Sequence, residues 1–315
     1  MNKGKGMPKI SFIIPCYYNE KNILITKEEL INNENLFPKN LSFEYILVDD
    51  GSKDKTLEEL LKFKNEFPDK VKVIKLSGNF GSYNAILAGM NFASGDCNVI
   101  LAADLQDPPD LIPKMYEYWT KGIKFVIANR QNREESFIHK LFSNTYHYLI
   151  RKFALKDVPT GGFDLVLFDK QLREDIVKIN EKNTNQIYLL SWLKYDYVSV
   201  AYTRRKREIG KSKWTISKKI KLFVDSFVSF SFFPIRLISV AGLILGIISF
   251  FYGLFVIYAK ISGLVPLQGW TAIMVVLLFV SSFQMIALGI IGEYVWRAMD
   301  AARNRPNFVV EQTYL

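Results

Sequence analysis

The chain has 315 residues, with 41 Lys plus Arg against 31 Asp plus Glu, a formal charge of +10, and only two His and two Cys. Apolar residues at 49% and aromatics at 14% provide for a real core in one large domain or two smaller ones, and exclude disordered and low-complexity classes. Cys16 and Cys97 belong to no Cys/His cluster, which excludes a disulfide framework and structural zinc and leaves both as reduced core residues.

At the N-terminus, MNKGKGMPK has no apolar run, so no cleavable signal peptide is expected. Short apolar runs then predict strands at Ile10–Pro15, Tyr45–Asp49, Val71–Leu76, Asn98–Ala103, Phe125–Ala128, Phe163–Phe168 and Val198–Tyr202. Helices are predicted between them at Lys55–Phe67, Ser82–Ala93 and Pro109–Trp119. Alternation of this kind predicts an α/β fold, a doubly wound and mainly parallel sheet with helices on both faces. Ligands of such sheets bind outside the carboxyl ends of the strands. The first four strands are followed by Pro15-Cys16-Tyr17-Tyr18-Asn19-Glu20, Asp49-Asp50-Gly51-Ser52, Ser77-Gly78-Asn79-Phe80-Gly81-Ser82 and Asp104-Leu105-Gln106-Asp107-Pro108-Pro109-Asp110. One acidic strand end is as readily a turn or a helix cap. Four in succession point to a polar ligand and a cation. The chain has neither a GxxxxGK[ST] loop nor a GxGxxG turn, which disfavours Walker-type NTPases and Rossmann dehydrogenases.

Two amphipathic helices, Phe137–Phe153 and Ile216–Phe233, suit the plane of a membrane interface. His139 and His147 are too far apart along the first to share a metal and read as surface or packing residues. From Arg204 to Lys221 there are nine Lys or Arg and a single acid, Glu208. That segment is either a solvated face gripping anionic headgroups or a set of phosphate ligands. Nucleic acid is the poorer partner, because Leu237–Ala259 and Ile261–Gly292 follow without a charge, each long enough to cross a bilayer. Gly263, Pro266 and Gly269 mark the turn of this two-helix transmembrane hairpin. Lys218, Lys219, Lys221 and Arg236 precede it and Arg297, Arg303 and Arg305 follow, so both termini are expected in the cytosol of an integral inner-membrane protein. The organisation read is a cytosolic domain over 1–203, a basic loop and interfacial helix over 204–234, two spans over 235–296 and a cytosolic tail over 297–315.

The motifs PCYYNE, VDDGS, NFGS, ADLQDPP and RxxGxSKW together resemble family-2 glycosyltransferases with the GT-A fold. With the two spans, the resemblance runs from about residue 9 to residue 306. It narrows to the polyprenyl-phosphate glycosyltransferases, relatives of dolichyl-phosphate mannose synthase and bactoprenol glucosyltransferases. It implies a hexosyltransferase that moves a sugar from a nucleotide sugar, UDP-linked in preference to GDP-linked, to a polyprenyl phosphate such as undecaprenyl phosphate. The course implied is inverting displacement assisted by Mg²⁺ or Mn²⁺. A phosphate monoester is largely a dianion at pH 7, so no general base is required.

By the same resemblance Asp104 and Gln106 are metal ligands, and Pro15, Tyr17, Glu20, Asp50 and Ser52 form the nucleoside pocket. Asn79, Gly81 and Ala103 complete the donor site. Asp107 either supports the ion from behind its ligands or caps the helix beginning at Pro108-Pro109. Arg130, Arg133, Arg207, Ser212 and Lys213 meet the acceptor phosphate, Arg207 and Lys213 also serving catalysis, while Arg204, Arg205 and Lys206 fall to lipid headgroups. Asp164 is either an acceptor-site carboxylate, where relatives carry a proposed catalytic acid residue, or the strand-edge partner of a nearby Arg. Two positions depart from the family pattern: Ala102 replaces the first carboxylate of an Asp-x-Asp, and Gly78 stands where an Arg often precedes Asn-Phe-Gly. They keep open a membrane-bound nucleotide-sugar binder without catalysis. A polysaccharide synthase is disfavoured, for want of further spans and a QxxRW element. A homo-oligomer assembled through the membrane helices is compatible with the resemblance.

Overall fold

Two compact units make up the chain, Met1–Ser226 with Pro306–Leu315, and Phe227–Arg305. The computed structural model describes residues 7–132, 145, 148–155, 164–179, 181, 184, 186–203, 205, 224–263 and 269–315. In the first unit the order is β1 (Lys9–Cys16), α1 (Ile23–Glu34), β2 (Ser42–Asp49), α2 (Thr56–Glu66), β3 (Val71–Leu76), α3 (Ser82–Phe92) and β4 (Cys97–Ile100). A 3₁₀ turn (Pro109–Leu111), α4 (Ile112–Thr120), β5 (Phe125–Asn132), β6 (Val166–Asp169), α5 (Lys170–Lys178), α6 (Gln186–Trp192) and β7 (Tyr197–Thr203) follow. The second unit holds α7 (Phe233–Ile261) and α8 (Trp270–Ala302), and the chain ends with β8 (Val310–Tyr314) in the first.

The described strands form one sheet in the order β7-β5-β6-β4-β1-β2-β3-β8. β4, β1, β2 and β3 are parallel neighbours, so their side chains are covered on both faces and read as continuous apolar runs. Phe12 of β1, Tyr45 of β2, Phe63 of α2, Phe125 of β5 and Phe168 of β6 are among the large side chains fully buried around the sheet. The chain leaves β1 for β2 and β3 on one side and returns to β4 on the other, so the order reverses at the β1/β4 boundary. A sheet of this kind binds its ligands at that switch point. At the opposite edge Glu44 is buried and accepts from the Ser11 and Ser94 hydroxyls at 2.6 and 2.9 Å, with Lys72 at 2.6 Å.

Several strand boundaries differ from the sequence expectation: β2 begins at Ser42 rather than Tyr45, and β6 runs Val166–Asp169 rather than Phe163–Phe168. β4 stops at Ile100, because its antiparallel neighbour β6 enters opposite that residue at Val166, and among the described residues no partner continues the ladder on that side. β5 continues past Ala128 to Asn132, because its parallel pairing with β7 persists through a register shift between Arg130 and Asn132. β8 lies in what reads in sequence as a polar tail. It pairs antiparallel with β3 and covers an edge that would otherwise present unpaired backbone groups.

In the second unit, α7 begins with Pro234 in its first turn, where a missing N–H costs nothing. At 1.5 Å per residue, its 29 residues and the 33 of α8 span about 43 and 50 Å. Both are long and apolar enough to cross a membrane, and Leu243, Phe251 and Phe279 are more than 60% exposed. The Tyr294 hydroxyl donates to the Ser231 carbonyl at 2.9 Å, and Arg297 pairs with Glu293 at 2.9 Å. Of the two amphipathic segments, 148–153 and 224–230 are helical, and most of the remainder, with His139 and His147, lies outside the described residues.

Candidate active site

The carboxyl ends of β1, β2, β3 and β4 carry the predicted donor residues, and their loops are cross-tied. The Asp50 N–H donates to the Cys16 carbonyl at 2.9 Å, the Tyr18 N–H to Ser52 Oγ at 3.0 Å, and the Lys55 N–H to Glu20 Oε2 at 3.2 Å. Tyr17 packs edge-on against Tyr18, whose φ of 55° places a non-glycine residue in the left-handed region. Pro15, Tyr17, Glu20 and Ser52 are half-buried on this rim.

Asp50, expected in the nucleoside pocket, is engaged by the neighbouring loop. It is 2% exposed, and its two oxygens accept from the Phe80 and Gly81 backbone N–H groups at 2.7 and 2.9 Å, just ahead of α3. Burial raises its pKa to about 6, against the lowering effect of those two bonds. Asp50 therefore shapes the loop that carries Asn79 and Gly81. Gly51 touches the same loop: at φ +70° a Cβ there would sit 2.5 Å from the Gly78 carbonyl carbon. At Gly78 itself a Cβ would meet nothing within 4 Å. Packing does not dictate the missing arginine.

Beyond β4 the chain turns at Leu105, which has φ 49° and lies between Asp104 and Gln106. Such a residue costs roughly 1–2 kcal/mol unless its surroundings hold it. The Gln106 N–H donates to Asp104 Oδ1 at 3.3 Å, and the Thr26 hydroxyl donates to the Ala103 carbonyl at 2.9 Å. Ala103, expected in the donor site, has its methyl in the core at 3% exposure. Asp104 and Gln106 are half-buried on the rim. Among the described residues no three His, Cys, Asp or Glu side chains gather as a metal cage. One carboxylate and one amide oxygen are hard donors that fit Mg²⁺ or Mn²⁺ when substrate phosphates complete the shell.

Pro108, not Asp107, stands at the cap position of the 3₁₀ turn. Asp107 is 1% exposed and accepts from the Tyr202 hydroxyl, which in turn accepts from Arg130 Nε at 3.0 Å. Arg130 also pairs with Asp164, so the guanidinium expected on the acceptor phosphate is engaged inside the protein, its side chain 6% exposed. Burial opposes its charge, but Asp164 and Asp107 more than compensate and hold its pKa above the usual arginine value. Asp164 keeps a 52% exposed side chain. Of the two readings of that residue, the pairing with an arginine is present. Arg205, read as a headgroup contact, donates its N–H to the Gln106 carbonyl at 2.9 Å and approaches Asp110 and Glu29 at 3.4 and 3.5 Å. Tyr202 is outside the set expected from the sequence, although a buried tyrosine hydroxyl needs a polar partner, which is the signal that points to it. Arg133, Arg207, Ser212 and Lys213 lie outside the described residues.

Glycosyl transferase family 2 matches residues 11–176. The uncharacterized glycosyltransferase YkcC of Bacillus subtilis (strain 168) is 34% identical over 305 residues, 96% of this chain and 94% of its own. The chain belongs to glycosyl transferase family 2. This family-2 glycosyltransferase is also 29% identical over 307 residues to the SfII prophage-derived bactoprenol glucosyl transferase of Shigella flexneri, covering 97% and 98% of the two chains. Among solved structures, glucosyl-3-phosphoglycerate synthase from Mycobacterium tuberculosis aligns at a TM-score of 0.49 with 16% identity, covering 70% and 80%.

Proposed function

We propose that the enzyme transfers a sugar from a nucleoside diphosphate, UDP in preference to GDP, to the phosphate of a polyprenyl lipid such as undecaprenyl phosphate. One observation carries the reading: the rim bearing Asp104, Gln106 and the Asp50-held loop stands at the sheet's switch point in a chain that also has two helices apolar enough to span a bilayer. The full-length similarity to bactoprenol glucosyl transferases supports a lipid-phosphate acceptor.

In this reading Tyr17, Glu20 and Ser52 line the nucleoside's place, Asn79 and Gly81 form the floor, and Asp104 and Gln106 present oxygens to the diphosphate's cation. Mg²⁺ or Mn²⁺, when bound, offsets the charge that develops on the leaving diphosphate. A lipid phosphate oxygen attacks the anomeric carbon from the opposite side. The new C–O bond forms as the bond to the diphosphate breaks, the leaving group takes the electron pair, and configuration inverts. Arg133, Arg207 and Lys213 offset the charge of the donor and acceptor phosphates during approach, and the Ser212 hydroxyl donates a hydrogen bond to them. Basic residues flanking both apolar helices support a catalytic unit on the cytosolic side of the inner membrane.

A panel of UDP- and GDP-sugars tested for thermal stabilisation of the purified protein examines the donor half. Stabilisation by one nucleotide class, present with Mn²⁺ or Mg²⁺ and reduced by EDTA and in Asp104→Asn, is expected. No stabilisation by any nucleotide under either condition refutes it.

A further inference from the structure

We propose that Tyr202 is a positioning residue, whose hydroxyl between Arg130 and Asp107 holds the turn carrying Asp104 and Gln106 in the shape that receives a cation-bound diphosphate. The proposal rests on the donor reading above and adds to it a residue far away in sequence.

The turn after β4 needs outside support, because its middle residue, Leu105, is a left-handed non-glycine at φ 49°. Support reaches it from two sides. On one, the Thr26 hydroxyl of α1 donates to the Ala103 carbonyl at 2.9 Å. On the other, Tyr202 at the end of β7 donates to Asp107 Oδ1, and three residues on, past the strand, the Arg205 N–H donates to the Gln106 carbonyl at 2.9 Å. The metal-facing residues are thus bracketed by bonds to their own neighbours. Tyr202 is 7% exposed and its hydroxyl uses both its capacities, accepting from Arg130 Nε at 3.0 Å and donating to Asp107. A neutral phenol between a buried cation and a buried anion keeps both satisfied without adding charge.

Two consequences follow for the reaction. Arg130 is also bonded to Asp164, so the donor turn and the carboxylate expected on the acceptor side share one guanidinium. The basic segment Arg204–Lys221 follows Thr203 in the chain, and Arg205 within it is bonded to the turn. A shift of the turn therefore moves the support of both phosphate-handling regions.

Tyr202→Phe removes one oxygen and tests this in the full-length protein in detergent. Affinity for UDP and for GDP is measured by calorimetry with Mn²⁺ and with EDTA, alongside amide exchange of residues 101–107 and 203–205. For the nucleotide that wild type prefers, affinity with Mn²⁺ is expected to fall about tenfold, a typical consequence of one lost buried hydrogen bond. Affinity in EDTA is expected to stay, with exchange faster in those two segments and unchanged in β1. Thr26→Val, which cuts the tie on the other side, is expected to lower the Mn²⁺/EDTA affinity ratio in the same direction, and it carries the test if Tyr202→Phe does not fold. Glu44→Gln, at the far edge of the sheet, is the control: it is expected to lower the melting temperature and leave the ratio alone. Equal loss with Mn²⁺ and EDTA, or a ratio unchanged in Tyr202→Phe and Thr26→Val, overturns the positioning role. A wild type that binds neither nucleotide in either condition instead removes the donor reading itself, and the positioning role with it.

Discussion

Asp50 ties a titration to the shape of the donor loop. Its folded pKa of about 6 lies above the ordinary aspartate value near ~3.9, so between these pH values the folded chain holds a proton that the unfolded chain has released. The Asp50 contribution to stability therefore declines as pH rises from about 4 to 6 and is level above that. Binding runs the other way. The ionised carboxylate accepts from both the Phe80 and Gly81 N–H groups, whereas protonation turns one acceptor into a donor facing an N–H. Nucleotide affinity is expected to weaken as pH falls through about 6, and Asp50→Asn, with one acceptor in place of two, to show a weaker and flatter profile by calorimetry between pH 5 and 8. Neighbouring glycines separate strain from space. Gly51→Ala meets backbone at 2.5 Å and adopts φ +70°, and should cost at least ~1–2 kcal/mol and loosen the loop. Gly78→Arg enters open space, and its melting temperature should stay within about 2 °C of wild type.

At the scale of elements, the parallel strands were legible because burial on both faces leaves uninterrupted apolar runs, and the acidic ends of those runs marked the rim. What was not legible depended on partners far away in the chain. Arg130 looked like a strand-end residue since the apolar run stops at Ala128; only pairing with β7 shows it inside β5. The Tyr202–Asp107 bond spans 95 residues and leaves no local pattern. β8 is short and half polar, and its strand character comes from β3, with Glu311 on Lys75 at 2.8 Å and the Ser77 N–H on the Val309 carbonyl at 2.9 Å. Ser77 opens the donor loop, so deletion of Pro306–Leu315 is expected to lower the melting temperature by roughly 3–6 °C and to increase association through the bared β3 edge. Glu44 shows that a buried carboxylate need not be catalytic. Burial alone would raise its pKa, but Lys72, Ser11 and Ser94 hold it below the ordinary value, so its stabilisation is present above the usual carboxylate range and is lost as pH falls through the depressed pKa. Breaking that cluster should cost about 3 kcal/mol in a denaturant titration.

On the scale of the whole molecule, one chain carries a family-2 glycosyltransferase unit and two helices long and apolar enough to cross a membrane. Topology is open to a direct check because Cys16 and Cys97 are buried, with thiol pKa values raised first of all by burial, and so contribute little background labelling. In intact cells, a membrane-impermeant maleimide should modify Ser262→Cys, at the end of α7, and should reach Lys114→Cys in α4 only after lysis. The decisive measurement is transfer itself: protein in vesicles containing undecaprenyl phosphate, given labelled nucleotide sugar and Mn²⁺, with label followed into the lipid phase. Wild type is expected to produce a sugar–phosphate–lipid that depends on the lipid phosphate, with Asp104→Asn at least about a hundredfold slower, in the range seen when one charge-stabilising group is removed. Equal incorporation by wild type and Asp104→Asn, or label that never enters the lipid with any nucleotide sugar, would contradict the account.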